Sequence, residues 1–147
     1  MVAKLLAVPG IEVDPRTHVG LTPLFDASSW GFDKVIQLLH NAGADVDAQS
    51  YDHGETPLIQ TCMFGYLHSA KLLVKLGADL EIRDFLYQET ALGAAVVFDF
   101  PDIVHFLVKS GADLEGRNVH NMTVLEVSIE MGHTEAEQIL RNALEFF

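Results

Sequence analysis

The tripeptides Gly43-Ala44-Asp45, Gly77-Ala78-Asp79 and Gly111-Ala112-Asp113 recur at a spacing of 34 residues, and Thr22-Pro23-Leu24, Thr56-Pro57-Leu58 and Thr90-Ala91-Leu92 recur in step with them. Self-similarity at a fixed period of this size means that one supersecondary unit is stacked on copies of itself. A stack buries its core between neighbouring units and offers an extended surface, so the function it favours is binding.

The unit is legible from its punctuation. Thr22 is a good helix N-cap, and Pro23 in the next place loses no helical hydrogen bond and has its φ already set. The first helix then carries Leu24, Ala27 and Ser28 on one side, and Gly31 can close it. A second helix follows, with Val35, Ile36, Leu38 and Leu39 as its buried stripe, Lys34 and Gln37 facing water, and Gly43 at its end. Each unit is therefore expected to be two antiparallel helices and a connecting arm, giving an all-α chain.

This pattern resembles the ankyrin repeat. Thr22-Pro23-Leu24-Phe25-Asp26-Ala27 nearly meets the signature T-P-L-H-x-A, and the stretch Leu38 to Val46 meets the helix-closing segment. The resemblance covers almost all of the chain as a single domain: a partial unit over 1–18, full units over 19–50, 51–84 and 85–117, and a C-terminal capping unit over 118–147. It implies an all-α solenoid in which first helices line a concave face and β-hairpin fingers project from one edge. The departures are as specific as the matches. Phe25, Ile59, Gly93 and Glu126 stand where the family has histidine, so the hydrogen bonds of that histidine must be lost or rebuilt. Gln88 and Asn121 replace the finger glycines Gly20 and Gly54, and Asp99 replaces the helix-closing Gly31 and Gly65. From glycine to the next threonine the step is 12 residues at Gly10 and Gly111 but 13 at Gly43 and Gly77, so two middle fingers each carry one extra residue.

Composition restricts the partners. A 49% apolar chain of 147 residues can bury a core, no apolar run approaches a membrane span, and Met1 to Pro9 is better read as the second helix of a partial repeat than as a signal peptide. A single cysteine, Cys62, cannot form an internal disulfide, and an intracellular location, cytoplasm or nucleus, is expected, with a monomeric chain. With 21 acids against 9 bases the net charge is −12. The arms hold Asp45, Asp47, Asp52, Glu55, Asp79, Glu81, Asp84, Glu89, Asp113 and Glu115 against Arg83 and Arg117, whereas Lys34, Lys71, Lys75, Lys109 and Arg141 lie on second helices. No basic stripe exists to neutralise phosphates, which disfavours nucleic acid and would steer a basic partner toward the fingers. Acidic balance is equally a common solubility device.

Trp30, Phe64 and Phe98 occupy one place in successive units, with Met131 following in the last; Met63 and Val97 stand just before two of them. On a helical wheel that place lies roughly 115° from the midline of the buried stripe. In the resembled family these places line the concave groove, and large apolar groups in register are what a binding hot spot requires. The competing expectation is that the column packs between repeats and closes the stack. Leu21, His53, Glu55, Tyr87, Glu89, His120 and Met122 flank the finger turns and are expected to form the polar rim of the same protein or peptide site. Chemistry is not indicated. Seven histidines show neither the i, i+4 pairing nor the cysteine spacing of a zinc site, no phosphate loop or nucleophile motif is present, and neither a cofactor nor an enzymatic activity is expected. The alternative to a binding module is a structural segment of a longer array whose groove has no dedicated ligand.

Overall fold

A computed structural model describes residues 2–146; Met1 and Phe147 lie outside the described residues. The short helix α1 (Val2–Leu6) precedes four helix pairs: α2 (Pro23–Ser29) with α3 (Asp33–Asn41), α4 (Pro57–Phe64) with α5 (Leu67–Lys75), α6 (Ala91–Val97) with α7 (Pro101–Lys109), and α8 (Val124–Met131) with α9 (Thr134–Glu145). The first helices α2, α4, α6 and α8 touch in sequence to make one layer, and α1, α3, α5, α7 and α9 make the second. The core lies between the layers. Leu24, Leu58 and Leu92 from the first layer meet Ile36, Leu73, Leu107 and Leu140 from the second, all essentially without solvent contact.

The threonines start the first helices as expected. Thr22, Thr56, Thr90 and Thr123 are all in extended conformation, and each hydroxyl accepts from the amide three residues on, at Phe25, Ile59, Gly93 and Glu126. Each such cap contributes about 1 kcal/mol. The missing family histidines are compensated in different ways: Phe25 and Ile59 are buried in the stack, while Glu126 completes a capping box with Thr123. Gln88, Asp99 and Asn121 have φ values of 56°, 59° and 61°, and are the positive-φ non-glycine residues among those described. They keep the left-handed geometry of the glycines they replace, a conformation that disfavours a side chain and is least costly for Asn and Asp.

Cys62 is fully buried on α4, and burial pushes its thiol up to about 12. A thiol in that state is not a nucleophile at neutral pH, consistent with a packing role.

The expected β-hairpins are not present as such: no strand forms among the described residues. Each finger is a turn spanned by a backbone bond at 3.0 Å, from Thr17 N–H to Leu21, Ser50 to Glu55, Asp84 to Glu89, and Asn118 to Met122, and three of the four add a second inside the turn, from Gly20 N–H to Thr17, Gly54 to Ser50 and Asn121 to Asn118. The two middle turns enclose one residue more than the outer two, which is where the extra residues go. Hairpin pairing is replaced by pairing sideways. The Tyr51 amide donates to the carbonyl of Val19 (2.8 Å), Phe85 to His53 (2.7 Å) and Val119 to Tyr87 (2.9 Å), each to the preceding finger. Arm amides are also taken by carboxylates of the preceding unit: Asp45 N–H donates to Asp14, Asp79 to Asp47, and Asp113 to Glu81. A row of long side chains fastens the fingers from below. Arg16 donates to the carbonyls of Gly20 and Gln49, Gln49 to those of Gly54 and Arg83, and Arg83 to those of Gln88 and Arg117. Each finger is thus held both by its own turn bonds and by bonds to the preceding unit.

Candidate functional site

Trp30 is 67% exposed, Phe64 55%, Phe98 48% and Met131 46%, so the column stands off the core, as its wheel angle indicates. Met63 and Val97, one place earlier, are half-buried and rest against the core. A cavity of about 570 Å³ opens between these helix ends and the fingers. It brings together Met63, Val97, Phe98, Met131, His53, Glu55, Tyr87, Glu89, His120 and Met122 over a floor of Ile59, Ala94 and Val127. Three expected site residues do not join it. Trp30 lies outside its lining, and Phe64 leans instead on Tyr66, with ring centroids 6.4 Å apart. Leu21 lines a separate small recess with Arg16, Pro23 and Asp26.

The cavity also includes residues that the finger pattern did not single out, chiefly Asp84, Leu86 and Asn118. Asp84 and Asn118 open their fingers in the same place as Ser50, so the repeat register itself could have found them. Leu86 belongs to the enlarged finger, which carries it over the groove.

The family model described as ankyrin repeats in three copies matches residues 1–84, more than half of the 147 residues. The chain belongs to the ankyrin-repeat family. Ankyrin repeats are in general protein-interaction modules rather than catalysts. A comparison with curated proteins finds no match. Beyond residue 84 the same architecture continues in α6 to α9, and it is there that Gln88, Asp99 and Asn121 stand in for glycine.

Stacking of the ankyrin units also sorts the acidic charge. Asp45, Asp79 and Asp113 each accept from the amide two residues on, and Asp47 and Glu81 accept from the next unit, so five of the ten arm acids are committed to the fold. Glu55, Asp84 and Glu89 are different: they face the groove. Glu55 accepts from Gln60 Nε2 (2.7 Å) and has His53 Nδ1 at 3.9 Å; Glu89 accepts from Asn118 Nδ2 at 2.6 Å. Burial raises both carboxyls above the ordinary glutamate value, and the nearby Asp84 pushes the same way.

Because the folded state prefers Glu55 and Glu89 protonated, their ionised forms oppose folding above the raised value, and that cost fades as pH falls through it toward the unfolded value. Glu89→Gln, which retains an acceptor for Asn118, is therefore expected to raise the melting temperature at pH 7 and to bring no gain at pH 4. A thermal melt at the two pH values checks this; destabilisation at pH 7 would mean that the charge is satisfied in the fold.

Proposed function

We propose that the chain is a non-catalytic intracellular module that holds an extended protein segment in its concave groove, its units 1–18, 19–50, 51–84, 85–117 and 118–147 acting together as one binding domain. Family membership supports binding in general. The single observation that carries the groove is the 570 Å³ cavity, in which apolar side chains from three successive units meet a rim of polar finger residues. Phe98 and Met131 are the anchors: exposed apolar groups in a concave site supply contact area on desolvation without being needed by the core. A single cysteine, which can form no internal disulfide, fits a reducing compartment. On the charge of −12 the preferred partner has basic and apolar residues, and nucleic acid is not a preferred ligand. Among the described residues no helix is long and apolar enough to cross a membrane.

The test is selection of 12-residue peptides from a random display library on the immobilised chain, followed by titration against Phe98→Ala and Met131→Ala. Each substitution is expected to weaken binding by about 1–2 kcal/mol or more. Selection of nothing, or binders indifferent to both substitutions, would leave the chain as a structural segment without a groove ligand.

A further inference from the structure

The groove is lined by carboxylates without a lysine or arginine among the described lining residues. Of its carboxylates, Asp84 is only 8% exposed; its Oδ1 accepts from the Tyr87 amide at 2.7 Å, and among the described residues no group donates to Oδ2. Glu89 reaches inward because position 93 is glycine. A Cβ built on Gly93 would collide with Glu89 Oε2, so the missing side chain on α6 is what gives this carboxylate its seat. Glu55 occupies the corresponding place one unit earlier. Among the described residues no lysine or arginine lines the cavity. Arg83 and Arg117 are close in sequence, yet both are held by finger carbonyls, Arg83 by Gln88 and Arg117 by Asn121, and Arg117 is also paired with Glu126 at 3.1 Å. Among the described lining residues, His53 and His120 are the side chains able to carry positive charge.

We propose that the groove contains a socket for one lysine or arginine side chain of the bound segment, formed by Glu55, Asp84 and Glu89, with the segment's adjacent apolar residue resting on Phe98 and Met131. This rests on the reading of the groove as a peptide site and adds the chemistry of its ligand. Charge complementarity selects the occupant: Glu55, Asp84, Glu89 and Glu130 line one concavity with no lysine or arginine among the described lining residues, and so repel an acidic guest and attract a base. Chelation of a metal is disfavoured by geometry, since among the described residues no three acidic, histidine or cysteine side chains stand close enough to hold an ion. A long cationic side chain fits better, because its methylene stem can lie along Met63, Val97 and Tyr87 while the charged end spans separated carboxylates. A guanidinium can in addition engage one carboxylate through two parallel hydrogen bonds.

Peptides selected on the unaltered chain from the random library are expected to share a lysine or arginine next to an apolar residue. Replacing that base by norleucine in the peptide, or Glu89 by Gln in the chain, should weaken binding about tenfold or more, and raising the salt from 0.05 to 0.5 M should weaken it further. Gly93→Ala keeps every charge but displaces the Glu89 carboxylate, and is expected to act like Glu89→Gln. Circular dichroism and thermal melts of both variants establish that they are folded. Binders without a common base, or binding unchanged by Glu89→Gln and Gly93→Ala while Phe98→Ala still abolishes it, would overturn the socket and leave the groove standing. Stabilisation by calcium chloride that EDTA reverses would overturn it in favour of a metal site. A library that yields no binder refutes the groove and the socket together.

Discussion

Truncating Leu92 to alanine is expected to remove about 2–5 kcal/mol of folding stability, whereas Phe98→Ala, six residues further along the same unit, should cost less than about 1 kcal/mol. Leu92 is 1% exposed on α6, which sits between α4 and α8, while Phe98 is half in solvent. In a stack, stability is roughly a sum of unit terms and nearest-neighbour interfaces, so a cavity in a central unit weakens the interfaces on both sides. Against a total stability of about 5–15 kcal/mol, the upper part of that range would unfold much of the chain. Urea titrations followed at 222 nm measure both variants. A Phe98→Ala midpoint lowered as far as that of Leu92→Ala would put the aromatic column in the core and remove the reason for regarding it as a partner surface. Trp30, more exposed still, gives a parallel readout: its emission should be that of a solvated indole, open to acrylamide.

The helices were legible because their signals are local. A threonine hydroxyl reaches an amide three residues away, and a left-handed closing residue acts on its own turn, so Thr22, Thr56, Thr90 and Thr123 declare their helices whatever surrounds them. The wheel position of Trp30, Phe64, Phe98 and Met131 is likewise local, and their exposure follows from it. The depth of the groove is not local. It depends on how far each finger reaches over the neighbouring helix ends, which gathers residues from Glu55 and Phe98 to Met131 but leaves Trp30 and Phe64 aside. Nor could the acidic arms be sorted from spacing alone. Asp47 and Glu81 belong to the fold because their carboxylates meet amides one unit away, whereas Asp84 and Glu89 fall into the cavity, and only the stacking register distinguishes the two fates. Nor does spacing show that the fingers form turns without strands among the described residues, with the amides of Tyr51, Phe85 and Val119 donating to the preceding finger.

Gly65→Ala should be among the most damaging small substitutions, at about 2–4 kcal/mol, the sum of placing a side chain in a left-handed turn and displacing a packed ring. Gly65 closes α4 at φ 78°, and a Cβ there would strike the ring of Phe100. Gly54, at φ 71°, stands in the same relation to Phe85 at the finger tips. The chain itself separates the two contributions. Gln88 is left-handed like Gly54, and the residue on the next finger that corresponds to Phe85 is the smaller Val119; Asp99 is left-handed like Gly65, and His133, in the place of Phe100, turns its Nδ1 to the Val96 carbonyl at 2.8 Å. Where the side chain returns, the phenyl ring is replaced by a smaller group. A double-mutant cycle on Gly54→Ala and Phe85→Val therefore has a definite expectation: removing the ring relieves the collision but not the backbone strain, so the pair should show a favourable coupling of about 1 kcal/mol or more. Additive losses would mean that the ring yields freely and that the glycine is required for its backbone conformation alone.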